Sequence, residues 1–101
     1  MPYTLDMFKK EGLGLRAIAS KQVIKVPKYH VAFSHENTSV LVLDFIESKS
    51  TKTQNLRAFG KELVALHEPD DSMFGFSFDN YIGTLPQYNL PNNDWCQFFI
   101  K

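Results

Sequence analysis

The residues that most often advertise a function are scarce in this 101-residue chain. It has one cysteine, Cys96. That excludes an intramolecular disulfide and any CxxC metal site, and it suits a reducing cytoplasm. It has no net charge, with 11 Lys and Arg set against 11 Asp and Glu. The balance argues against a basic nucleic-acid surface or an acidic tail, and leaves little repulsion to oppose self-association. Long hydrophobic runs are also missing. The longest, Val40 to Leu43, is far too short to span a bilayer, so no membrane partner is expected. Met1 to Leu5 lack a basic segment leading into an apolar run, which argues against a signal peptide and for a cytoplasmic location. The three histidines, His30, His35 and His67, are scattered, with no carboxylate or Cys partner at metal spacing, so no metal site is expected.

Apolar material is plentiful. A hydrophobic content of 44% with nine Phe suffices for one domain, or a piece of one, with its own core. Leu5, Phe8, Gly12, Leu15 and Ala19 recur at spacings of three and four, which predicts a helix over about Thr4 to Ser20. Thr4 is its candidate N-cap, and Asp6 sits in the first turn, favoured by the helix dipole. Lys9, Lys10 and Arg16 fall on the solvated side. Gly12 and Gly14 each cost the helix up to ~1 kcal/mol relative to Ala, so packing against another element must hold it.

Pro27 holds Val26 extended. Tyr29 to Ser34 then reads as a strand, His35 to Thr38 as a polar turn, and Ser39 to Ile46 as a strand buried on both faces. The two strands form a hairpin, which is marginal alone and needs cover. Thr53 to His67 carries a second helical stripe of Leu56, Phe59, Leu63 and Leu66, ended by Pro69 and a turn at Asp70, Asp71 and Ser72. A last helix begins near Trp95 with Asn93 or Asp94 as its cap. The order of elements makes the fold α+β.

Phe74 to Phe99 crowds Phe, Tyr and Trp together with glycines, prolines and four Asn. So many breakers exclude regular structure, and so many aromatics exclude a solvated linker. An ordered loop with a packed interior reconciles the two. Elsewhere no catalytic constellation assembles. Cys96 beside Trp95 reads as a buried, inert thiol, since no base accompanies it. Glu11 reads as a surface residue, and Asp44 as a strand-end Asp entering a turn.

Several runs match a known pattern. They are Met7, Phe8, Glu11, Gly14, Leu15, Ala17 and Ile18; Ile24 with Val26, Pro27 and Lys28; Leu41 through Ile46; and Gly60, Leu63, Ala65, Leu66 and His67, with Val64 where Ala is common. Last come Phe74-Gly75-Phe76, Asp79-Asn80, Ile82-Gly83, Pro86-Gln87, Asn89, Asp94-Trp95 and Phe98-Phe99. In this order they resemble the fructosamine-3-kinase (ketosamine-3-kinase) family, relatives of aminoglycoside phosphotransferases and protein kinases.

The resemblance implies a partial kinase-like fold. Residues 1–47 would be helix C, the hairpin and the hinge of an N-lobe. Residues 48–101 would be a linker helix, the signature loop and the start of a C-lobe, the whole forming one compact unit. Glu11 resembles the helix-C glutamate that pairs with the ATP-binding lysine. Leu43, Asp44, Phe45 and Ile46 resemble the adenine hinge, with Leu43 in the gatekeeper-like position. Asp79, Asn80, Gln87 and Asn89 would brace the loop or, alternatively, touch sugar. The full-length family uses ATP and Mg²⁺, but the glycine-rich loop, the strand lysine, the catalytic Asp and the metal ligands have no match in this chain. The expectation is therefore a fragment with no bound cofactor and no phosphoryl transfer of its own. Its partner would be a second copy or a complementary kinase fragment, joined across the exposed hairpin. The alternative is a non-catalytic, partner-binding module derived from a kinase fold.

Overall fold

The computed structural model describes residues 4–48, 52–69 and 73–100. Contacts divide the chain into two compact units, residues 1–68 and 69–101.

In the first unit α1 spans Thr4–Ser20, with Thr4 already helical rather than capping. Lys10 is not simply solvated: it is half-buried and pairs with Asp6 one turn back at 3.1 Å. The helix ends as Gln22 turns left-handed at φ 57° and its N–H bonds the Ala19 carbonyl. Glycine usually takes such a conformation.

The hairpin pairs β1, Tyr29–His35, with β2, Thr38–Leu43, antiparallel. Its turn is tighter than the four polar residues suggest. Glu36 and Asn37 alone form it, at φ 49° and 63°. Two positive φ values mark a type I′ turn, whose twist matches that of the strands. Asn suits this conformation; Glu accepts strain there. β2 also ends earlier than the apolar run, at Leu43. Nor is it buried on both faces, since only one helix covers the hairpin and most of β2 is half-buried.

The register is shifted at one point. Tyr29 faces Leu43 while Val31 faces Val42, so His30 is an extra, unpaired residue. This β-bulge brings Tyr29 and Ala32, three residues apart, onto the same side, towards α1. There Gly12 is buried. A Cβ on it would lie 2.5 Å from the Tyr29 ring, so only glycine admits this approach. Arg16, one turn on, stays exposed, as expected, while its guanidinium stacks over the same ring at 4.6 Å. The cost of Gly12 in a helix is thus met by contact with Tyr29.

α2 spans Thr53–Leu66. Its predicted stripe forms, but Leu56, Phe59 and Leu63 are exposed. Lys52 precedes it without a side-chain cap, and the His67 N–H closes on the Leu63 carbonyl before Pro69. The turn expected at Asp70 to Ser72 lies outside the described residues.

The second unit contains more regular structure than its composition suggests. β3, Asn80–Ile82, and β4, Leu85–Gln87, form a hairpin in which Asn80 faces Gln87. Gly83, at φ 60°, supplies the positive φ that opens its two-residue turn. Pro86 faces Tyr81, one step in from the Ile82–Leu85 pair that closes the turn. Antiparallel pairs alternate between bonded and non-bonded, so Pro86 falls where no ladder N–H is needed. α3, Trp95–Ile100, follows, and Asp94 caps it by accepting the Gln97 N–H at 3.1 Å. The Trp95 ring meets Phe74 edge-on at 5.2 Å and stacks on Phe99 at 5.4 Å. Cys96 is exposed, not buried, because the short helix has no cover on that side.

No helix among the described residues is long and apolar enough to cross a membrane.

Candidate functional site

Two places in the fold gather the residues of interest, one in each unit. The first is the exit of β2. The ladder makes one more rung past Leu43, as the Asp44 N–H donates to the Lys28 carbonyl at 3.0 Å. The chain then leaves the sheet. Phe45 is 91% exposed and Ile46 half exposed, so no packing anchors this segment. Beside it opens a cleft of about 460 Å³ between Lys25 to Pro27 and Asp44 to Glu47.

Here the histidines depart from expectation, for His30 does have a carboxylate partner. Its Nε2 lies 2.5 Å from Asp44 Oδ1. Fourteen residues separate the two in sequence, and only the hairpin register brings them together. The ionised carboxylate accepts, so Nε2 carries the hydrogen. The hydrogen bond from His30 holds the Asp44 carboxyl below its ordinary value of 3.8. Desolvation, the next largest effect, opposes it, and weaker contributions from the imidazole charge and from the backbone and charge of Lys28 add to the lowering.

Neither the Asp44 carbonyl nor the Ile46 N–H has a backbone partner among the described residues. Leu43, just before them, is half-buried opposite Tyr29. Glu11 lies on the exposed side of α1, next to buried Gly12, and makes no ion pair among the described residues.

The second place is the signature loop, organised by Asn89, whose exposure is 4%. Its backbone N–H donates to Asp79 Oδ1 at 2.7 Å. Its Nδ2 donates to the Phe78 carbonyl at 3.1 Å and to Asn80 Oδ1 at 2.7 Å. Its carbonyl accepts the Phe76 N–H at 2.9 Å. One buried amide thus joins both ends of the loop. Gly75, at φ 131°, lets the chain pass: a Cβ there would lie 2.6 Å from the Asn89 carbonyl oxygen. The Phe74 and Asn92 backbones close the loop with two bonds of 2.8 Å.

Asp79, Asn80 and Asn89 therefore meet in one network, and Gln87 stands opposite Asn80 in the hairpin. A cleft of about 600 Å³ lies alongside, walled by Phe76, Phe78, Tyr88, Leu90 and Pro91 with Asp79 at its edge. Among the described residues no three His, Cys, Asp or Glu side chains cluster as a metal site would require.

Sequence reasoning missed His30. The signal lay only in pairing the two strands from the turn backwards and finding one residue too many on β1.

A model of the fructosamine kinase family matches residues 2–101. A probable ketoamine kinase of Synechocystis is 38% identical over 97 residues, covering 95% of this chain and 33% of that protein. The chloroplastic protein-ribulosamine 3-kinase of rice is 35% identical over 99 residues, covering 95% and 29%. The crystal structure of a candidate fructosamine-3-kinase from Haemophilus somnus superposes with a TM-score of 0.88 at 25% identity, over 97% of this chain and 33% of that one. The chain spans about a third of the length of the relatives it matches.

Proposed function

The chain belongs to the fructosamine kinase family, and from that premise we propose that it carries the nucleotide hinge of a kinase acting on ketosamines. The observation that carries the reading is the pair of backbone groups at Asp44 and Ile46 that have no backbone partner among the described residues. Adenine presents an amino donor beside a ring-nitrogen acceptor on its pairing edge. A carbonyl and an N–H two residues apart would complement that edge. Leu43, half-buried just before them, would take the gatekeeper-like position beside the base.

Bound ATP would supply the phosphoryl group; the hinge orients its base and performs no chemistry. Phosphoryl transfer rests on positioning and charge neutralisation by a lysine, a catalytic Asp and metal ligands. None of the motifs matched in these residues supplies those groups, and Glu11 would act by orienting such a lysine. The purified 101-residue chain, assayed with ATP, Mg²⁺ and a fructosamine substrate, should therefore give no phosphorylated product. Turnover would overturn this.

A second reading, self-association, is favoured by the hairpin. Its sheet has two strands, so each has an unpaired edge among the described residues. Val31 and Phe33 are 43% and 42% exposed on the side turned from α1, and Val31 faces Val42 across the register. Such an edge invites pairing. Light scattering at high micromolar concentration should give a dimer, and a monomer would contradict it.

A further inference from the structure

The hinge segment poses a physical problem that the structure answers. Phe45 and Ile46 are exposed, so burial does not fix the path of the chain out of β2. Yet an acceptor and a donor that read a base must be held in place before it arrives, or its binding is spent on ordering them. Among the described residues, the hydrogen bonds that order the segment are those of Asp44. That residue is gripped twice: its N–H by the Lys28 carbonyl at 3.0 Å, and its carboxylate by His30 Nε2 at 2.5 Å. His30 is the bulged residue of β1, outside the ladder register, so its position is set by the bulge and not by a cross-strand neighbour. Bulges often re-aim a side chain in this way.

We infer that His30 is a positioning residue for the hinge: its imidazole clamps the Asp44 carboxylate and thereby fixes the position of Asp44, the residue whose carbonyl is offered to adenine. The inference rests on the hinge reading above and adds a residue outside the runs matched to the family. With N–H and side chain both tied, the Cα of Asp44 is held against β1 from two sides. Without His30 the residue hangs from one backbone bond at the frayed end of a two-stranded sheet. The charged groups around Asp44 are His30 and Lys28, with Lys25 and Glu47 along the same cleft. The cations outnumber the one carboxylate beside it, which keeps the clamp's acceptor ionised.

The test uses the ¹⁵N-labelled chain, its His30→Ala variant and its His30→Gln variant, which keeps an N–H donor. Amide exchange and carboxyl titration at Asp44 are followed, with ATP added to millimolar levels. In His30→Ala the Asp44 amide should lose protection about two- to fourfold, the effect expected of a half-exposed ion pair. The Asp44 carboxyl should titrate closer to its ordinary 3.8. The ATP response at Ile46 should weaken by a similar factor, and α1 amides should stay as they are. His30→Gln should restore most of the protection and of the ATP response. A His30→Ala chain with unchanged Asp44 titration and ATP response overturns the clamp, as does one whose α1 amides lose protection equally, since His30 would then be merely structural. A wild-type chain whose Asp44 and Ile46 amides ignore ATP overturns the hinge reading instead, and the Asp44 titration in His30→Ala tells the two failures apart.

Discussion

The two units reach order by different means. In the first, α1 and the hairpin meet through apolar and aromatic surface: Gly12 against Tyr29, Arg16 over the same ring, and Ala32 buried at 8% exposure. In the second, a single polar side chain, Asn89, holds together segments that apolar packing leaves half open. A segment full of breakers can therefore be as well determined as a helix against a hairpin. Its determinants are hydrogen bonds and glycine conformation in place of periodic burial.

This contrast can be broken most sharply at Gly75. Valine there meets both a φ of 131° and backbone oxygen at 2.6 Å, so about 3 kcal/mol or more should be lost from the second unit. Trp95, the only tryptophan and in contact with Phe74, reports that loss by fluorescence during urea unfolding. Asn89→Ala comes next. It strands the Phe78 carbonyl and Asn80 Oδ1, at about 2 kcal/mol, and should again move the Trp95 signal while sparing the α1 amides.

In the first unit, Gly12→Ala should lose about 1–2 kcal/mol, since overpacking against the Tyr29 ring outweighs the gain in helix propensity. Gly14→Ala meets nothing within 4 Å and should gain up to ~1 kcal/mol. Far-UV circular dichroism on urea titration separates the two signs. The smallest effect is electrostatic. The Asp44 carboxyl is held below 3.8, so what the pair contributes is complete above that pH and is lost as the pH falls through the lowered value. Following the Asp44 amide shift from pH 6 to 2 should show a midpoint below that of an isolated Asp. An ordinary midpoint would remove the His30 bond from the account.

How much of this was legible in the sequence follows from the same contrast. α1 was readable to its ends because its stripe has helical period, and α2 was readable for the same reason. The short hairpin over Asn80 to Gln87 was not. Its strands have three residues each, too few to alternate visibly, and Pro86 reads as a breaker until its place in the ladder is known. Burial failed where it depends on neighbours: β2 looked enclosed and Cys96 looked buried, yet one helix covers one face of the hairpin and nothing described covers Cys96. The site divides likewise. Asp79, Asn80 and Asn89 were marked by motif, and Asp79 and Asn80 each accept a hydrogen bond from Asn89, while the His30–Asp44 pair required a bulge that composition does not reveal.

The central claim is that the nucleotide meets the first unit at its hinge, and that the loop of the second unit is braced and not a nucleotide site. A titration of the labelled chain with ATP tests this most directly, read at the Ile46 amide, the Asn89 side-chain amide and the Trp95 indole together. The account predicts movement at Ile46 with Asn89 and Trp95 unmoved; movement at Asn89 or Trp95 with Ile46 silent would contradict it.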